Sequence, residues 1–88
     1  MNATFDAKNI HDKTTFHRRF KHALRFQNYY GHNLDALYDL FMEIQSDLTL
    51  VIVNTESLSN NLGAYGESIV DLLKTVNLQK ANITIKFN

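Results

Sequence analysis

The chain has 88 residues, 44% of them hydrophobic, with six Phe, four Tyr, nine basic and nine acidic side chains and a net charge of zero. That length suits one domain, residues 1–88, whose small core buries about 60–65% of the unfolded surface. No apolar run approaches the ~20 residues of a membrane span, MNATFDAKN lacks a signal-peptide core, and the absence of cysteine excludes disulfides, thiolate catalysis and Cys-based zinc sites.

A cytoplasmic protein with no membrane partner is therefore expected. In chain order, residues 2–7 alternate polar and apolar, with Ala3, Phe5 and Ala7 on one side, and read as a short strand. Residues 14–25 follow with Phe16, Phe20, Ala23 and Leu24 at the spacing of a surface-helix stripe, capped by Thr14 or Asp12. Gly31 falls in the turn that follows. Asn33 is a good N-cap for a second helix, with Leu34, Leu37, Phe41 and Ile44 inward and Asp35, Tyr38, Asp39 and Met42 on a different face.

LTLVIVN, residues 48–54, is a nearly continuous apolar run and predicts a strand buried on both faces. TESLSNNLGAYG is turn-rich, with a short helix beginning near Thr55. Residues 67–78 place Ile69, Leu72, Leu73 and Val76 on one helical stripe, and NITIKFN alternates with Ile83, Ile85 and Phe87 inward. Strands separated by helices imply right-handed crossovers. The fold class is α/β: a three-stranded parallel sheet in the order 1-2-3 with three main helices and one short one.

The charges are segregated. Lys8, Lys13, Arg18, Arg19, Lys21 and Arg25 lie in one stretch with only Asp12 among them, whereas Asp35 to Asp71 contains seven acids and no lysine or arginine. His11, His17 and His22 read as solvated members of the basic face. Asp35 and Asp39 sit one helical turn apart, and like charges at that spacing cost a helix roughly 0.2–0.5 kcal/mol. Asp35 is explained by the helix dipole near the N-terminus. Asp39, the tyrosines beside it and the missing cations are not.

Several chemistries compete for this cluster. Two carboxylates on one short helix do not flank a substrate as a glycosidase pair does. His32, Asp35 and Asp39 form a weak metal set. The basic helix is a fairer competitor as a nucleic-acid binder, but the chain lacks the usual excess positive charge. Protein binding fits best: unpaired carboxylates beside tyrosines predict a partner with a basic cleft.

The stretch YYGHNLDALYDLF closely resembles the signature of the barstar family, intracellular inhibitors of barnase-type secreted ribonucleases. The matching residues are Tyr29, Tyr30, Gly31, Asn33, Leu34, Asp35, Ala36, Leu37, Tyr38 and Asp39. The resemblance implies a barstar-like fold and a protein that is not an enzyme and needs no cofactor or metal. It implies that Asp39 enters the ribonuclease's phosphate site, that Asp35 faces the same cleft, and that Tyr29 packs on the catalytic histidine. Asn33, Leu34 and Tyr38 match neighbouring contacts, and Met42, Glu43 and Thr75 complete the expected partner-binding face. Tyr38 stands where the family has tryptophan, Glu43 and Ile44 replace glycine and tryptophan, Thr75 aligns with a family acid, and the proline that often opens the central strand is absent. The expected partner is a basic-cleft extracellular ribonuclease, with no nucleic acid bound and a monomer when free. An immunity protein against another toxin nuclease is the alternative, and a basic-helix nucleic-acid module a third reading.

Overall fold

The computed structural model describes residues 1–26 and 32–88. Its elements are β1 (Asn2–Asp6), α1 (Lys13–Ala23), α2 (Leu34–Glu43), β2 (Leu48–Val53), α3 (Glu56–Leu62), α4 (Ala64–Gln79) and β3 (Ile83–Phe87). The three strands form a parallel sheet in the order β1-β2-β3. Ala3 pairs with Leu50 and Leu50 with Ile85, while Phe5 pairs with Ile52 and Ile52 with Phe87. In-register pairing puts these side chains on one face of the sheet.

That face is the core. Phe5, Leu50, Ile52 and Ile85 are buried against Phe16, Phe20, Leu37, Phe41, Ile69, Leu73 and Val76 from the helices. Phe5 meets Phe16 and Phe20 edge-on, with ring centroids 5.5 and 4.9 Å away.

The opposite face departs from the expectation for the central strand. Leu48, Leu50 and Ile52 are buried, but Thr49, Val51 and Val53 are only half-buried. Their neighbours Thr4, Asp6, Thr84 and Lys86 are exposed. Topology supplies the reason. In the order 1-2-3 both crossovers step the same way across the sheet, so two right-handed connections place all the helices on one side. β2 is covered on one face, and its continuous apolar run reflects β propensity as much as burial.

Local signals set the helix starts. Of the two cap candidates for α1 the structure uses Asp12, whose carboxylate accepts from the Thr15 N–H at 2.7 Å and the Thr15 hydroxyl at 2.8 Å. Asn33 caps α2, its side chain accepting from the Ala36 N–H at 2.8 Å. The turn-rich segment holds more helix than its composition suggests. α3 and α4 nearly abut, separated by Gly63 at φ 57°. A Cβ on Gly66 would lie 1.9 Å from the Leu58 carbonyl oxygen, so that glycine is what lets α4 cross α3 at backbone contact.

Candidate protein-binding face

α2 is amphipathic. Leu37 and Phe41 are buried and Leu34 is half-buried against the core, which fixes the helix's rotation. Asp35, Asp39 and Glu43, four residues apart, are therefore exposed on the opposite side. Among the described residues no lysine, arginine or histidine pairs with any of the three.

The C-terminal half of α2 is held by the end of α4 and the turn that leads into β3. Tyr38 donates its hydroxyl proton to the Gln79 side-chain oxygen. Lys80 Nζ donates to the Met42 carbonyl at 3.0 Å, placing a cation at the helix's negative end. Asn82 Nδ2 donates to the carbonyls of Ile44 and Ser46 at 3.0 and 2.9 Å. The acidic stripe thus rides on a helix anchored behind and at one end.

The family model described as "Barstar (barnase inhibitor)" matches residues 1–88. The chain belongs to the barstar family. A protein of Bacillus subtilis (strain 168) named "Putative ribonuclease inhibitor YrdF" is 33% identical over 70 residues, covering 78% of this chain and 77% of its own length.

Seen as a barstar-family surface, the expected residues are unequal. Asp35, Asp39 and Glu43 share one exposed stripe. Asn33 is engaged as the N-cap, and Leu34 and Met42 are half-buried. Tyr38 lies at the seam with α4. Thr75 is on α4, one turn before Gln79, and its hydroxyl donates back to the Asp71 carbonyl at 2.9 Å. Tyr29 lies outside the described residues, as do Tyr30 and Gly31. Gln79, Lys80 and Asn82 were not singled out in the sequence. Their signal is weak, because they act through amide, ammonium and backbone contacts that leave no periodic trace.

The reading of His17 as solvated is corrected. His17 is fully buried, and its Nε2 lies 2.6 Å from the Tyr65 hydroxyl at the start of α4. His32, next to the Asn33 cap, stacks on it at a ring-centroid distance of 6.0 Å. Lys13 Nζ stands 4.5 Å over the Tyr65 ring. Burial, with a smaller contribution from the nearby His32 charge, lowers the His17 pKa to about 4, and burial raises that of Tyr65. The signal was available: His17 precedes Phe20 by three residues and Leu24 by seven, which places it on the buried stripe of α1.

The basic residues gather on the outer side of α1. Arg18, Lys21, His22 and Arg25, with Phe26, line an open groove of about 470 Å³. Among the described residues no three His, Asp or Glu side chains are placed to hold a metal ion. No helix is long and apolar enough to cross a membrane.

Proposed function

We propose that this protein inhibits a barnase-type ribonuclease by plugging its active site with α2 and the segment before it. The observation that carries the reading is the stripe of Asp35, Asp39 and Glu43, exposed and without a cation partner among the described residues, in a chain of the barstar family. The name of the Bacillus subtilis relative supports the same role. A catalytic cleft that grips RNA phosphates is lined by cations, and a row of carboxylates on a rigid helix supplies the complementary charge.

In this reading Asp39 and Asp35 replace the substrate's phosphate contacts, and Glu43 adds a third anion at the helix end. Tyr29 and Tyr38 cover the catalytic groups, Tyr38 through its ring, since its hydroxyl is held by Gln79. Asn33, Leu34, Met42 and Thr75 contribute supporting contacts. Blockade is steric and electrostatic, with no chemistry by the inhibitor. It protects the cytoplasm of the cell that makes the nuclease.

The test is titration into barnase while RNA cleavage is followed. Stoichiometric inhibition is expected, with a roughly hundredfold or greater loss in Asp39→Ala, because truncation strands the partner's cations in a desolvated interface. The variant should retain its thermal midpoint, since an exposed mid-helix aspartate contributes little to folding. Unfolding of Asp39→Ala would make the residue structural and defeat the assignment. Association should slow steeply with added salt. Inhibition of a different nuclease with the same Asp39 dependence would favour the immunity-protein alternative.

A further inference from the structure

The cations of α1 gather into a shape as well as a charge. Arg18, Lys21, His22 and Arg25 surround the open groove of about 470 Å³, with Phe26 as its carbon wall. Arg18, Lys21 and His22 fall at i, i+3 and i+4 and share one side of the helix. Arg18, His22 and Arg25 are exposed, and no carboxylate lines the groove among the described residues. Asp12, whose carboxyl feels the Arg18 charge, lies outside it. A concavity of this size suits a small organic ligand.

The helix dipole accounts for part of the cluster. Lys21 and His22 stand in the last turn of α1, where cations offset the helix's negative end. It does not account for the backbone of Arg25. That residue sits at φ 56°, in the left-handed conformation that ends many helices and that glycine ordinarily supplies. The Arg25 N–H donates to the His22 carbonyl at 3.2 Å and the Phe26 N–H to the Lys21 carbonyl at 3.1 Å, which closes the turn. A cation serves the dipole equally well from a relaxed position. Here an arginine stands where a Cβ costs strain, and the reversal brings both it and Phe26 to the groove. Phe26 is half-buried: it meets Phe41 of α2 edge-on, with centroids 6.1 Å apart, and also lines the groove.

We infer that this groove binds a mononucleotide, its phosphate held by Arg18, His22 and Arg25 and its base lying against Phe26. Guanidinium groups match phosphate oxygens in a fork, and an aromatic ring takes the flat face of any base. Their full charges outweigh the half charge of the helix end. The surroundings favour one phosphate over a phosphate chain. α2 packs beside α1 through Phe20 and Phe41, whose ring centroids are 6.0 Å apart, so a polymer continuing across α2 would meet the exposed Asp35 and Asp39. The inference is independent of the inhibitor reading.

The experiment is calorimetric titration of the full chain, in phosphate-free buffer at about 50 mM salt. The probes are adenosine, guanosine and uridine monophosphates, inorganic phosphate, adenosine and oligoadenylate. The proteins are the wild type, Arg25→Gly, Arg18→Gln and Lys74→Gln. One mononucleotide should bind per chain, inorganic phosphate at least about tenfold more weakly, and adenosine undetectably. Arg25→Gly is decisive, because it gives the turn the residue that suits it. Its thermal midpoint should hold or rise while mononucleotide affinity falls about tenfold or more, and Arg18→Gln should lose a similar factor. Lys74→Gln removes a cation from α4 and should bind as the wild type does. An equal loss in Lys74→Gln would reduce the effect to net charge and overturn the inference. So would unchanged binding in Arg25→Gly, inorganic phosphate binding as tightly as the mononucleotides, or no binding of any of the three by the folded wild type. Oligoadenylate binding far more tightly than the monophosphates would assign the groove to RNA and overturn it too. None of these outcomes touches the inhibitor reading, which Asp39→Ala tests.

Discussion

Between β1 and β2 the chain places two helices with oppositely charged outer surfaces, cationic on α1 and anionic on α2. Between β2 and β3 it places two helices that meet backbone to backbone, with Gly66 against Leu58. In the proposed reading Thr75 of α4 edges the face, but the first crossover carries the charged side chains that a partner meets. The second is a platform, and its far end holds α2 through Gln79, Lys80 and Asn82. In that reading recognition falls mainly to one half of the fold and rigidity to the other, and substitutions in the two halves should fail in different ways.

The largest effect is expected at Gly66. Gly66→Ala drives a methyl into the Leu58 carbonyl, which only a shift of α3 against α4 relieves. A loss on the order of 3 kcal/mol or more is expected in denaturant unfolding. Wild-type stability in this variant would mean that the two helices are not tightly seated.

Next comes the joint between the halves. Asn82→Ala leaves the carbonyls of Ile44 and Ser46 without their donor and should cost about 1–3 kcal/mol. Inhibition should weaken alongside stability, because the end of α2 is released. An unfolding midpoint that falls with inhibition unchanged would show that the platform is not needed to present the stripe.

A third test uses acid. The His17 pKa is lowered to about 4 in the fold from 6.5, so the unfolded chain takes up its proton first. Its contribution is therefore fully present above pH 6.5 and is lost as pH falls toward 4, on the order of 3 kcal/mol. Asp6 is held below its ordinary value by the Asn54 side chain and the Lys8 N–H, and Asp12 by Thr15. Their stabilisation is lost only below the usual carboxylate value of 3.8. Thermal midpoints between pH 7.5 and pH 4 should thus decline in the wild type and flatten in His17→Gln, at about those limits. An equally steep decline in the variant would place the acid-sensitive group elsewhere.

The smallest effect is expected on the cationic surface. Arg18→Ala combined with Arg19→Ala should change stability by no more than about 0.5 kcal/mol and leave nuclease inhibition intact. Loss of inhibition there would show that both charged surfaces of the first crossover engage the partner. A shift in RNA affinity would revive the nucleic-acid reading of α1.

Much of this was legible because local chemistry and tertiary packing agree. Ala3 and Phe5 alternate with polar residues, Asn33 caps a helix with a clear apolar stripe, and Ile83 and Ile85 point inward as their period requires. The acidic stripe was visible for the same reason: once Leu37 and Phe41 are inward, Asp39 must be outward. Where tertiary context prevails, the sequence misleads. Ser57, Ser59, Asn60 and Asn61 are poor helix formers, yet α3 forms because Leu58 is buried and α4 packs across it. Val51 and Val53 suggest a second buried face, yet the handedness of two crossovers leaves it open. His17 reads as polar, yet Tyr65, far away in sequence, gives its ring nitrogen a partner. The hold of Gln79, Lys80 and Asn82 on α2 joins residues 36–41 positions apart, and no local pattern encodes it.

The open face of the sheet has a practical consequence. It carries Thr4, Thr84 and Lys86 on the side that the helices leave bare, and the sequence contains no cysteine. A thiol introduced at Thr84 would be the single reactive sulfur in the chain. A fluorophore or surface tether attached there would leave both helical crossovers free, so binding can be watched without touching the residues under test.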